Sequence, residues 1–258
     1  MHPILLQAGG LKLYTYGLFV ALGFITAIWF TKRNAKFYGV PDQMVSDLFF
    51  TILFSALAGA RILYVLINFN DYRDNLLDIF RIWNGGLVFF GGFIGGAVGT
   101  IIFLRIKKMD IWKTADVLAP GLALGHSVGR FGCLFAGCCY GKSCTLPIAL
   151  TFTNPDSLAP LNTPLHPTQL YMIASNFVLF LILLAIQRRK RFNGMVFLSY
   201  ILLYSLFRSI IEFFRGDFRG NFFFDFLSLS QGIGLLISCI ALIFMIIKLR
   251  SRPRHGSR

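Results

Sequence analysis

Seven apolar runs, each near the length that carries a helix across a ~30 Å hydrocarbon core, divide the chain at roughly 14–31, 46–67, 87–104, 115–136, 169–187, 195–213 and 229–247. In lipid every backbone N–H and C=O has to be paired inside the segment, so runs of this length must be helical. The expected fold is an all-α polytopic membrane protein with seven transmembrane helices, forming a single integral membrane domain over residues 1–258. Composition points the same way, since 56% of the residues are hydrophobic and only 14% are charged. That balance excludes an ordinary soluble domain.

A net charge of +14 raises nucleic acid as a partner. The basic residues are dispersed between the runs and not gathered on one surface, so no nucleic-acid partner is expected. Counted over alternate connections, sixteen fall on one side (Lys32, Arg33, Lys36; Arg105, Lys107, Lys108, Lys113; Arg188 to Arg191; Lys248, Arg250, Arg252, Arg254, Arg258). Six fall on the other (Lys12, Arg73, Arg81, Lys142, Arg215, Arg219), and three, Arg61, Arg130 and Arg208, lie within runs. The positive-inside rule then places the N-terminus outside and the C-terminus in the cytoplasm. Met1 to Leu13 has no basic segment ahead of an apolar core and no small-residue cleavage pattern, so the first run is expected to direct insertion. The one long connection, 137–168, carries five prolines and is expected to be an ordered periplasmic arm or cap.

An ionised guanidinium in hydrocarbon costs a few kcal/mol on the most lenient scale, so an arginine is kept there to hold an anion, to pair with a carboxylate or to line a watered cavity. Arg130 stands in GHSVGRFG, Arg61 in LAGARILYVL and Arg208 in YSLFRSIIEFFR. Glu212 follows Arg208 by four residues and shares its helical face, so those two can pair. Asp47 and Asp116 are the other carboxylates within the runs, too few for three arginines, and a phosphate is a fitting partner for whichever is left over. His126 lies one turn before Arg130 on the same face, and either it or His166, which opens HPTQLY, is a candidate base or a hydrogen-bonding spacer. Tyr16 is the tyrosine best placed to orient a headgroup. The glycine cluster from Gly85 to Gly96, with Gly91 and Gly92 at its centre, reads either as close helix packing or as room for a headgroup beside the backbone.

Four of the five cysteines cluster as Cys133-x4-Cys138-Cys139-x4-Cys144. The spacing is that of neither a zinc ribbon nor a thioredoxin-like pair. Disulfides bracing the arm, a metal site and a redox role are all open readings, and Cys239 is expected to be packing alone.

Several separated motifs in fixed order make the chain resemble the prolipoprotein diacylglyceryl transferase family: YG at 16–17, GARILY at 59–64, RIWNGGLVFFGGFIGG at 81–96, GRFG at 129–132 with Gly141, HPTQLY at 166–171 and FRSIIEFFR at 207–215. The resemblance implies a bacterial cytoplasmic (inner) membrane enzyme that moves the diacylglyceryl group of phosphatidylglycerol to the thiol of the lipobox cysteine of a prolipoprotein signal peptide, releasing glycerol phosphate, with no cofactor or metal. By motif it makes Arg130 the phosphatidylglycerol-binding arginine, Arg208 a second essential arginine and Tyr16 a functional tyrosine, and it matches Glu212 and Arg215 to the family's charged cluster; beside these, His126 is a candidate catalytic residue from its place next to Arg130, and Arg61, Gly91, Gly92, Gly141, His166, Glu212 and Arg215 are candidate substrate-binding residues with Arg130. Three positions depart from the family pattern: Phe90 stands where a histidine proposed as catalytic is usual, Cys133 where asparagine follows GR-x-G, and Met172 where glutamate follows HPxQLY. The base is then another residue, with His126 the nearest, or the arginines and the lipid phosphate lower the barrier themselves. The rival readings are a non-catalytic or differently specific lipid-binding relative, and a membrane thiol or metal protein using the cysteine cluster.

Overall fold

The computed structural model describes residues 1–8, 11–73, 75–81, 85–217 and 229–250. Ile82, Trp83 and Asn84 of the 81–96 motif, together with Arg219, Arg252, Arg254 and Arg258, lie outside the described residues. The described residues contain seven long α-helices: α1 (Thr15–Ala35), α2 (Asp42–Ile67), α3 (Phe89–Ile106), α4 (Ile111–Ala136), α5 (Thr168–Arg188), α6 (Met195–Glu212) and α7 (Leu229–Arg250). Five of them, α1, α2, α3, α5 and α6, are long and apolar enough to cross a membrane. The fourth helix carries Lys113, Asp116, Pro120 and Arg130 and is more polar.

Two short antiparallel pairs accompany the helices. β1 (Ile4–Ala8) pairs with β2 (Leu11–Tyr14) ahead of α1, and β3 (Leu150–Thr151) pairs with β4 (Pro164–Leu165) inside the 137–168 arm. The hairpin is joined to α1 through Thr15, whose hydroxyl donates to the His2 carbonyl at 2.6 Å.

The chain forms two compact units, 1–31 with 115–258, and 32–114. In the second, α2 and α3 pack so closely that a Cβ at Gly59 would stand 2.4 Å from the Gly91 carbonyl oxygen, and one at Gly91 would stand 2.3 Å from the Gly59 oxygen. No side chain fits there, which gives the glycine cluster a packing role. In the first unit, Ala119 and Ala123 of α4, Leu179 and Leu183 of α5 and Val196 of α6 form a fully buried core. Asp116, also fully buried, sits against the start of α6, accepting from the backbone N–H of Gly194 at 2.8 Å and of Phe197 at 3.0 Å. A carboxylate there satisfies two of the helix's unpaired donors and favours the positive end of its dipole. It is thus engaged with α6 and with Lys190, 3.8 Å away.

Outward faces are apolar where water would disfavour it: Phe54, Ile62, Phe93 and Leu236 are all more than half exposed. Such surface fits lipid contact. Within 137–168, Phe152, Ala159 and Leu165 form a small buried core.

Candidate functional site

Helix α4 supplies the centre of the site. Its spacing of four puts His126 directly under Arg130, and the Arg130 Nε–H donates to His126 Nε2 at 3.1 Å. The other end of the guanidinium, Nη1, reaches the sulfurs of Cys133 at 3.9 Å and Cys139 at 3.8 Å. No carboxylate pairs with Arg130 among the described residues. Its charge is shared with polarisable but uncharged or weakly acidic groups, leaving it suited to an external anion.

Helix α6 adds a second stripe at the same spacing, with Tyr204, Arg208 and Glu212. Arg208 forms the ion pair with Glu212 that its position anticipated, and the His126 imidazole lies within reach of both Arg130 and Arg208. Tyr204 closes the gap between the helices, its ring 5.4 Å from that of His126. Just past α6, buried Arg215 makes a two-pronged contact with Asp217 at 2.9 and 2.6 Å and lies 3.8 Å from Glu212. Although burial works against it, the Arg215 guanidinium is held above its ordinary range by Asp217 and by Cys139.

Tyr16 opens α1 at the other side of Arg130, half exposed, within electrostatic reach of Arg130 and of Cys133, Cys138 and Cys139. A Cβ at Gly132 would stand 3.0 Å from the Tyr16 carbonyl oxygen, so the GRFG motif is what lets α1 approach here. Tyr16, His126, Arg130, Arg208, Glu212 and Arg215 therefore belong to one connected cluster.

The arm is tied to that cluster by backbone. Gly141 bridges to Arg215, and a Cβ on it would stand 2.4 Å from the His166 Cβ, 2.5 Å from the His166 carbonyl oxygen and 2.8 Å from that of Phe214. His166 turns its Nδ1 to the Tyr171 hydroxyl at 3.3 Å and packs on Phe214, so it borders the cluster without touching Arg130. Thr168 and Gln169, both buried, donate to the Cys139 and Cys138 carbonyls at 2.7 and 3.0 Å. Cys139 is pushed below the ordinary thiol range by hydrogen bonds from Cys133 and Cys138, against the effect of burial, and by the charge of Arg215. The same sulfur contacts, with burial, push Cys138 upward.

The second unit contains Arg61, Gly91 and Gly92. Buried Arg61 donates to the carbonyls of Ile79 (2.7 Å), Gly85 (2.8 Å), Gly86 (3.2 Å), Asp78 (2.7 Å) and Arg81 (3.5 Å), and its plane faces Tyr64 and Tyr72. Five N–H groups meet five carbonyls, so the guanidinium holds the segment leading into α3 and has no donor left for a phosphate. Phe90 is half exposed at the first turn of α3, stacked edge-on with Phe89.

Tyr204, Thr168, Gln169 and Asp217 were not singled out by the sequence. Tyr204 carried a signal, the period of four that links it to Arg208 and Glu212, and Thr168 and Gln169 lay in plain view inside HPTQLY.

A cluster of two helix-borne arginines, an imidazole and a tyrosine could occur in many membrane proteins, and the whole chain decides between them. The sequence model for prolipoprotein diacylglyceryl transferases matches residues 3–247. The chain belongs to that family. Among similar proteins, the phosphatidylglycerol–prolipoprotein diacylglyceryl transferase of Clostridium tetani is 36% identical over 253 residues, covering 98% of this chain and all of the relative. The transferase 2 of Clostridium perfringens is 36% identical over 260 residues, with both chains fully covered. That of Oceanobacillus iheyensis is 32% identical over 250 residues, covering 94% of this chain and 86% of its own. Full-length similarity to proteins named as transferases favours an enzyme of this family over a lipid-binding relative or a dedicated thiol protein.

Proposed function

We propose that the chain transfers the diacylglyceryl group of phosphatidylglycerol to the cysteine thiol of a prolipoprotein in a bacterial cytoplasmic membrane. The observation that carries this reading is Arg130, a partly buried cation with no carboxylate partner among the described residues, at the centre of a cluster in a chain similar over its full length to such transferases. In the reaction the thiol sulfur forms a bond to the glyceryl carbon, the carbon–oxygen bond to phosphate breaks, and the electron pair leaves with glycerol phosphate. Negative charge grows on the leaving phosphate, and a guanidinium already aimed at it stabilises that charge without reorganising. Arg130 takes that role, Arg208 adds its field while Glu212 limits it, and Tyr16 orients the headgroup.

His126 is proposed as the residue that fixes Arg130. Its Nε2 lone pair accepts from the guanidinium, so the nitrogen a base would use is occupied. The thiol proton then leaves with the phosphate or through water. Gly141 and His166 hold the arm against the cluster, while Gly91, Gly92 and Arg61 build the second unit. Seven spans, with α4 and α7 added to α1, α2, α3, α5 and α6, an outer N-terminus and a cytoplasmic C-terminus, make up the proposed topology, supported by the charge asymmetry of the loops.

The test is product formation from phosphatidylglycerol and a cysteine-containing lipobox peptide by purified protein. Transfer is expected, and Arg130→Ala should lower it by about a hundredfold to a thousandfold, the usual effect of removing one donor to a developing anion. A folded wild-type protein that binds the lipid without turnover would sink the reading.

A further inference from the structure

The transferase reading leaves Cys133, Cys138 and Cys139 without a task, yet the fold brings their three sulfurs within 4.8 Å of one another. Thiolates around a zinc-sized ion sit at ~2.3 Å from it, hence about 3.8 Å apart in tetrahedral directions. The three sulfurs thus close on an ion with a shift of about 1 Å or less from their 4.8 Å limit. None of the three is joined in a disulfide among the described residues.

Local backbone assembles this arrangement. Cys133 lies on the last turn of α4, the chain turns at Gly137, and Cys139 adopts φ 61°. In an extended chain adjacent side chains point to opposite faces. The left-handed conformation at a non-glycine residue instead accompanies a geometry in which adjacent Cys138 and Cys139 both converge on Cys133. Thr168 and Gln169, through their hydrogen bonds to the carbonyls of the two cysteines, hold the strained pair in place.

Charge completes the argument. Three thiolates and one divalent ion leave a net negative charge, and Arg130 Nη1 lies against two of the sulfurs, at 3.9 and 3.8 Å, with Arg215 beside Cys139. Donors aimed at ligand sulfurs are the ordinary outer shell of a metal site, whereas thiols are weak acceptors for a guanidinium. We propose that Cys133, Cys138 and Cys139 form a three-thiolate site for a thiophilic divalent ion of the zinc class, with Arg130 balancing its charge. Binding releases the protons still held by the sulfurs, and the ion braces the start of the arm. The proposal does not depend on the transferase reading.

The experiment uses the full chain in detergent, reduced, stripped with chelator and titrated with Co²⁺ under exclusion of oxygen. One ion per chain is expected, with thiolate-to-cobalt charge-transfer absorption that Zn²⁺ bleaches. Cys138→Ser and Cys139→Ser should lose the band, Cys144→Ser should keep it, and Arg130→Ala should weaken affinity by about tenfold to a hundredfold. Should the serine variants fail to fold, the wild-type titration and its reversal by chelator decide the matter. Absence of the band in folded reduced wild type, its survival in Cys138→Ser and Cys139→Ser together, or a disulfide joining two of the three sulfurs that reduction cannot convert to a binding site each overturns the proposal.

Discussion

Arg130 and His126 are joined by a hydrogen bond of 3.1 Å in which the imidazole Nε2 is the acceptor. The direction of that bond separates two roles. As an acceptor, His126 orients the guanidinium, and a side chain that still offers an acceptor should serve in its place. His126→Ala is expected to lower kcat/KM by about tenfold to a hundredfold, the scale of a misplaced binding group, and His126→Gln to recover most of the loss. Kinetics on the two variants check this. Equal inactivity of both would return His126 to the role of base.

Arg61 makes a different prediction, because its acceptors are main-chain carbonyls. A lysine keeps the charge and loses the fork, so Arg61→Lys should release residues 76–81 with Gly85 and Gly86 while leaving α2 and α3 intact. Hydrogen exchange at Leu77 to Arg81 and at Gly85 and Gly86 measures this directly. Faster exchange confined to that segment is the expected outcome, and unchanged exchange would refute the bracing role.

The helices were legible because a run of apolar residues long enough to cross lipid has one backbone solution, and each expected boundary lies within about four residues of the observed one. The Arg208–Glu212 pair was legible because four residues make one turn. The Arg61 contacts were not, since its acceptors lie 17 to 25 residues away along the chain and are backbone atoms, which sequence does not distinguish. The convergence of Cys133, Cys138 and Cys139 was hidden for a similar reason: it depends on a positive φ at Cys139, which nothing about the cysteine itself announces. The hairpin ahead of α1 was overshadowed by the apolar run that follows it.

Asp116 tests where the α4–α6 contact takes its stability. Its carboxylate is fully buried and receives two N–H groups from the first turn of α6. Asp116→Ala strands those donors, at a cost of about 1–3 kcal/mol for the unsatisfied groups. Asp116→Asn keeps one acceptor and should cost less. Thermal unfolding in detergent is expected to rank wild type above Asn and Asn above Ala, and an Ala variant as stable as wild type would show that Asp116 does not hold α6.

Two glycines around the site differ in what a methyl group would meet, and the contrast separates packing from ligand space. At Gly141 a Cβ runs into His166 and the Phe214 carbonyl within 2.8 Å, whereas at Gly129, apart from its own helix backbone, nothing among the described residues lies within 4 Å. Gly141→Ala should therefore force the arm away from α6 and destabilise the protein by about 1–3 kcal/mol, the range for overpacking. Gly129→Ala meets no clash inside helix α4 and should stabilise it by about 0.4–1 kcal/mol through the unfolded chain. Gly129 is next to Arg130, so if the open space beside it is where the headgroup sits, the same methyl should weaken phosphatidylglycerol binding even as stability rises. Opposite signs for stability and lipid affinity in Gly129→Ala are the expected result. A variant that gains stability and binds lipid normally would place the headgroup on another face of Arg130.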